Sequence, residues 1–132
     1  MNCEEILTGV RECVASVLAI PVTAVGKEAR LIDDLGAESL DLLDLVFQLE
    51  QKFRVSISPG DIERRAKAKL EGRPLEIDGV YTAEALSELR RILPEVPPSE
   101  LAEGLTVAQL PRTFRVSTMA NLVSRLTEEK GE

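Results

Sequence analysis

Histidine and tryptophan are absent, and aromatic residues make up only 3% of the 132 residues. Without histidine, the usual zinc-ligand sets, His-based triads and histidine general bases are unavailable. No catalytic residue or metal ligand is assigned, and the chain leans away from hydrolytic enzymology. The scarcity of aromatics requires an aliphatic core. Cysteine is limited to Cys3 and Cys13. Both fall in the first helical segment, where the rise separates them by roughly 15 Å, too far for a bridge within the chain. Reduced thiols and a cytoplasmic location are expected. Lysine and arginine, 16 in all, are outnumbered by 23 acids, for a net charge of −7. Nucleic acid is therefore not an expected partner, because phosphate neutralisation needs clustered cations. No apolar run is long enough to span a bilayer, and the N-terminus has neither a basic n-region nor a signal h-region. An integral membrane protein is not expected.

What is present is an ordinary balance of 44% hydrophobic and 30% charged residues, consistent with a single domain over 1–132. Long Leu, Val and Ala periodicities with little β-branched alternation argue for an all-α bundle. The spacing predicts a first helix over about 4–18, with Ile6, Val10, Cys13, Val14, Val17 and Leu18 on one stripe, slightly weakened by Gly9 and ended by Pro21. Residues 22–36 form a long connection pinned by Val22, Val25, Leu31, Ile32 and Leu35. A second helix is expected from Ser39 to about Phe53. A third is expected from Pro59 to Leu70, capped by Ser58 with Pro59 at its first position. One face of that helix is apolar (Ile62, Ala66, Leu70) and the other basic (Arg64, Arg65, Lys67, Lys69). Turn signals follow at Gly72-Arg73-Pro74 and Asp78-Gly79. Thr82 caps a fourth helix through Leu93, Pro94 stops it, and Pro97-Pro98 forms a stiff joint. Short turns fall around Leu101, Leu105, Val107 and Leu110. A last helix starts at Ser117 or Thr118 and runs to about Glu128.

Residues 35–53, LGAESLDLLDLVFQLEQKF, organise the chain. A turn delivers Ser39 to the start of a helix, and Ser is a favoured N-cap. Acids interleave at Glu38, Asp41, Asp44 and Glu50, and Asp41 and Asp44 lie three apart on one exposed face. Between Glu28 and Glu50 seven acids face Arg30 alone. The run resembles the prosthetic-group attachment segment of acyl carrier proteins, whose core is Asp-Ser-Leu followed by an acidic, apolar helix. Here the core stands as Glu38-Ser39-Leu40, between LIDDLGA and DLLDLVFQLEQKF. The long connection and the final FRVSTMANLVSRL also resemble the family. The resemblance covers about 4–70 and 114–126, and a helical insertion of about 71–112 interrupts it. It implies an antiparallel bundle of three longer helices and a shorter one.

The resemblance further implies that Ser39 carries phosphopantetheine, added from coenzyme A by a phosphopantetheinyl transferase. The arm's thiol would hold acyl groups as thioesters, so the chain would be a phosphoprotein and a carrier, not an enzyme. Glu38, Leu40, Asp41, Asp44 and Glu50 would meet basic patches on the transferase and on acyl-transferring and chain-extending enzymes; such rim charges steer encounter more than they add affinity. Leu31, Leu43, Leu45, Val46, Leu49, Ile62 and Leu70 are candidates for an acyl pocket, with plain core packing as the alternative reading. Glu38 in place of the usual Asp, the basic third helix and the insertion suggest a specialised carrier, serving fatty acid or envelope-lipid biosynthesis with acyl groups such as those destined for lipid A; a monomer is expected. A peptidyl or aminoacyl carrier is the near alternative, disfavoured by the acidic helix and the Asp-Asp-Leu-Gly-Ala approach. A non-carrier helical interaction domain, with Ser39 only a cap, is the alternative of another class.

Overall fold

A computed structural model describes residues 2–58 and 60–130. Five α-helices account for about half of it: α1 (Cys3–Leu18), α2 (Ser39–Phe53), α3 (Asp61–Ala68), α4 (Ala83–Ile92) and α5 (Val116–Glu129). The expected all-helical bundle is present. It divides into two compact units, Met1–Ile57 with Phe114–Glu132, and Ser58–Thr113.

In the first unit, α1 packs against α5 and α2. Asn2 opens α1 with a reciprocal box: its Oδ1 accepts from the Glu5 amide at 2.9 Å, and Glu5 Oε1 accepts from the Asn2 amide at 3.1 Å. Ile6, Val10, Cys13 and Val14 are buried with Leu31, Leu45, Leu49, Phe53, Val116 and Val123 in one aliphatic core. Burial pushes the Cys13 thiol pKa up, while Lys52 pulls it the other way. Gly9 does more than weaken its helix. A Cβ there would sit 2.7 Å from the Phe53 ring and 2.9 Å from Lys52 Cε, so the bare backbone lets α1 and α2 approach. The long connection is tied down as expected: Arg11 donates to the carbonyls of Val25 (2.6 Å) and Val22 (2.9 Å). It then pairs with the chain entering α5. The Leu31 amide donates to Phe114 O at 3.0 Å, Val116 to Ala29 O at 3.1 Å and Ser117 to Lys27 O at 2.9 Å, around an Arg30–Arg115 bridge. The last helix begins at Val116, slightly before the expected Ser117 or Thr118, because buried Thr118 accepts from the Arg115 amide at 2.9 Å.

The second unit holds α3, which the family resemblance over about 4–70 groups with the other carrier helices. It packs instead on α4, burying Ile62 and Ala66 in the same unit as Ala85, Leu86 and Leu89. It begins at Asp61, behind Gly60 in the left-handed region at φ 74°, not at a Ser58 cap; Pro59 lies outside the described residues. Its basic face is partly neutralised from within: Asp61, itself buried, accepts from Arg64 at 2.6 Å and Arg65 at 2.8 Å. The start of the insertion is not only turns. Asp78 and Gly79 both take positive φ and close a hairpin between β1 (Glu76–Ile77) and β2 (Val80–Tyr81). Thr82 caps α4, its Oγ1 accepting from the Ala85 amide at 3.2 Å, as its sequence predicts.

Gly9→Ala offers a direct test of the α1–α2 contact. On an open helix face the change would stabilise by up to about 1 kcal/mol; here it is expected to destabilise by about 1–2 kcal/mol, because Phe53 is buried and cannot yield freely. Urea unfolding of the two proteins reads the sign.

Candidate functional site

The loop before α2 is built by short-range bonds that follow from its sequence. The amides of Asp34 and Leu35 both donate to Arg30 O at 3.1 Å, Gly36 donates to Ile32 O at 3.0 Å, and Ala37 donates to Leu31 O at 2.9 Å. Gly36 takes φ +74°, with open space where a Cβ would lie. Asp34 carries the main side-chain bonds: its Oδ2 accepts from the Arg30 amide at 2.8 Å, and its carboxylate pairs with the Arg30 guanidinium at 3.2 Å. The side-chain and then the backbone hydrogen bonds from Arg30 hold the Asp34 carboxyl below its ordinary value. Leu31 and Ala37 are buried, so the loop is pinned at both ends of this turn.

The chain then turns outward. Glu38, extended at φ −105° and ψ 172°, is the N-cap of α2, and Ser39 is the first helical residue rather than the cap. Asp41 takes the capping task, its Oδ2 accepting from the Glu38 amide at 2.9 Å. With that role filled, the Ser39 hydroxyl is not required as a cap. Glu38, Ser39 and Leu40 are all exposed, Leu40 at 76%. The amides of the first helical turn have no intrahelical partners and lie at the positive end of the helix dipole. An exposed hydroxyl there, beside a turn with room around Gly36, fits a covalently attached phosphate ester.

The helix splits the predicted site residues between three surroundings. Leu45 and Leu49 join Leu31 in the buried core, and Val46 is half-buried. Leu43 does not face inward, as expected from its apolar character. It is 68% exposed and stands with Leu40 and Phe47 (59% exposed) at spacing three and four along α2. The sequence signal for Phe47 is the excess of apolar residues in α2 over what one buried stripe needs. Ile62 and Leu70 lie in the second unit and are buried, Leu70 just beyond the end of α3. Asp44 is exposed beside the apolar stripe. Glu50 is half-buried, and its Oε2 accepts from the Ile57 amide at 2.8 Å, so it also holds the link that leaves the unit. Lys52 pairs with Glu12 at 3.5 Å. A shallow groove lined by Cys13, Ser16, Phe47, Gln48 and Gln51 runs between α1 and α2, and none of the acyl-pocket candidates lines it. Among the described residues there is no cluster of metal-ligating side chains and no helix long and apolar enough to cross a membrane.

Similarity to known proteins supplies the class of this unit, a carrier. Residues 8–66 match the family model described as a phosphopantetheine attachment site. The acyl carrier protein of Thermotoga maritima is 44% identical over 61 residues, covering 46% of this chain and 75% of the relative. That of Campylobacter jejuni subsp. doylei is 45% identical over 58 residues, covering 44% and 75%. An Exiguobacterium acyl carrier protein is 41% identical over 66 residues, covering 50% and 84%. No solved structure matches the chain. The chain belongs to the acyl carrier protein family. It is a carrier and not an enzyme, and its prosthetic group is covalently held phosphopantetheine.

Two outcomes test this geometry. Leu43→Gln is expected to change unfolding free energy by no more than about 0.5 kcal/mol, whereas Leu49→Ala should cost about 2–5 kcal/mol; chemical denaturation distinguishes an exposed from a core leucine. For Asp34, a lowered folded-state pKa means that its contribution is present above the unfolded value and lost as pH falls through the folded value. Its carboxyl resonance should titrate below the roughly 3.9 of a free Asp, and Arg30→Ala should return it toward that value.

Proposed function

We propose that Ser39 is the attachment point of phosphopantetheine and that the chain is a discrete acyl carrier protein. The observation that carries this reading is the exposed Ser39 hydroxyl at the first position of α2, inside the segment matched by the family model. The bound arm supplies a terminal thiol that holds acyl groups as thioesters. The protein's own work is presentation. The 30–37 turn fixes where the hydroxyl stands, and the exposed first turn gives a transferase access to it. The first-turn amides and helix dipole favour the phosphate, partly offsetting the nearby acids.

The outer face of α2 is the proposed docking surface. Leu40, Leu43 and Phe47 form an apolar stripe, with Glu38 and Asp44 beside it and Asp41 and Glu50 at its flanks. Such a surface suits brief encounters with a phosphopantetheinyl transferase and with acyl-transferring and chain-extending enzymes that carry basic patches. The charges steer approach and the apolar stripe supplies contact. Leu31, Leu45 and Leu49 lie in the part of the aliphatic core that would part to shelter an acyl chain, with half-buried Val46 on the same helix. The reading is of one carrier domain with an insertion, a cytoplasmic monomer serving fatty acid or specialised envelope-lipid synthesis, lipid A included. The acidic face of α2 favours acyl over peptidyl cargo.

Intact mass after incubation with coenzyme A and a broad-specificity transferase is the test. A gain of one phosphopantetheine group, absent in Ser39→Ala, is expected. No gain in folded protein, with a transferase from the same source also tried, would leave a helical interaction domain.

A further inference from the structure

The turn that leads to Ser39 is held by one side chain more than by any other. Arg30 offers its amide to Asp34 Oδ2 at 2.8 Å, its Nε to the same oxygen at 3.3 Å, and its Nη2 to Oδ1 at 3.2 Å. Its Nη1 lies 3.6 Å from Asp33 Oδ2. Its carbonyl accepts from the amides of Asp34 and Leu35. The same residue sits in the backbone bridge to Arg115, so the staple is fastened to the chain entering α5. Next to it, Leu31 is buried and its carbonyl receives the Ala37 amide, two residues before Ser39. Resting on the carrier reading above, we propose that Arg30 is a positioning residue for the modification of Ser39. Its guanidinium and backbone close the Asp33–Asp34 turn, and this sets the path through Gly36 and Ala37 by which Ser39 reaches the start of α2.

The staple is half-exposed, with the Arg30 and Asp34 side chains 37% and 42% accessible. Exposed ion pairs add little to global stability, so its purpose is local. It keeps the turn in one arrangement when the transferase arrives. Without it, the enzyme must order the turn while bringing Ser39 to the reacting phosphate. That cost falls on the transfer step, because these bonds shape the turn that delivers Ser39, while the proposed docking face lies along α2. The forked guanidinium matters as well as the charge, since a lysine ammonium cannot engage one carboxylate through two nitrogens.

The test is steady-state phosphopantetheine transfer from coenzyme A to the full chain, comparing wild type, Arg30→Ala, Arg30→Gln, Arg30→Lys, Asp34→Ala and the double Arg30→Ala/Asp34→Ala. Circular dichroism and thermal unfolding establish that each variant folds. Arg30→Ala is expected to lower kcat about three- to tenfold, the loss of roughly one hydrogen bond's worth of ordering, with KM changed less than about twofold. Arg30→Lys should recover part of the loss, and the Arg30 effect should shrink in the Asp34→Ala background, where only the longer Asp33 contact remains of the printed ion pairs. Amide exchange at Gly36 and Ala37 should quicken in Arg30→Ala while the α2 interior is unchanged. A wild-type kcat in both Arg30→Ala and Arg30→Gln overturns the proposal. So does a rise in KM alone, or a full Arg30 effect persisting without Asp34. In each of these cases modification of the wild type leaves the carrier reading standing. If the wild type itself is never modified, the carrier reading and this inference fall together.

Discussion

The first unit depends on a backbone ladder between segments far apart in sequence. Lys27, Ala29 and Leu31 meet Phe114, Val116 and Ser117 through bonds of 2.9–3.1 Å. One strand of this ladder is the loop that leads to Ser39, and the other is the chain returning from the second unit into α5. At the opposite side of the interruption, Glu50 receives the Ile57 amide just before the chain leaves. Within the first unit, the residues on either side of the interruption are thus fastened to the loop before α2 and to α2 itself. Lengthening a loop adds closure entropy only slowly. A bundle held in this way can accept more than fifty residues between Ile57 and Phe114 and still close its own core.

The same economy governs α2. Its apolar residues serve two different surfaces. Leu45, Leu49 and Phe53 are buried, with Leu42 packed at the margin of the core, while Leu40, Leu43 and Phe47 point to solvent. A helix of this composition would be a poor surface element unless the outer stripe were used, since adjacent exposed apolar residues mark contact surfaces more often than scattered ones. Asp41, expected among the outward recognition charges, also closes the helix start by binding the Glu38 amide. Ser39 itself is the first helical residue and exposed, not the cap.

Much of the local structure in both units is legible from residues alone. The stripe Ile6, Val10, Cys13, Val14 defines α1, and residues 39–53 form the expected second helix. Thr82 caps α4 and Asp78-Gly79 turns the chain because their side-chain and backbone preferences act over only a few residues. The attachment segment was readable for the same reason: its register of serine, acids and leucines is contained in one continuous stretch.

Long-range packing decided the rest. Nothing local in Ile62 or Ala66 states that α3 packs on α4, and helical periodicity says only that they share a face. Leu43 and Leu45 are the same residue type in the same helix, and only the positions of α1 and α5 expose one and bury the other. Gly9 reads as a local weakness until Phe53 and Lys52 are seen against it. The sequence by itself determined the helices, their short-range caps and the serine at the head of α2, because those rest on interactions within a turn or two. The tertiary structure alone decided which leucines meet solvent, which unit holds α3 and how the loop before Ser39 is tied to the chain entering α5, because those depend on contacts between segments far apart in the chain.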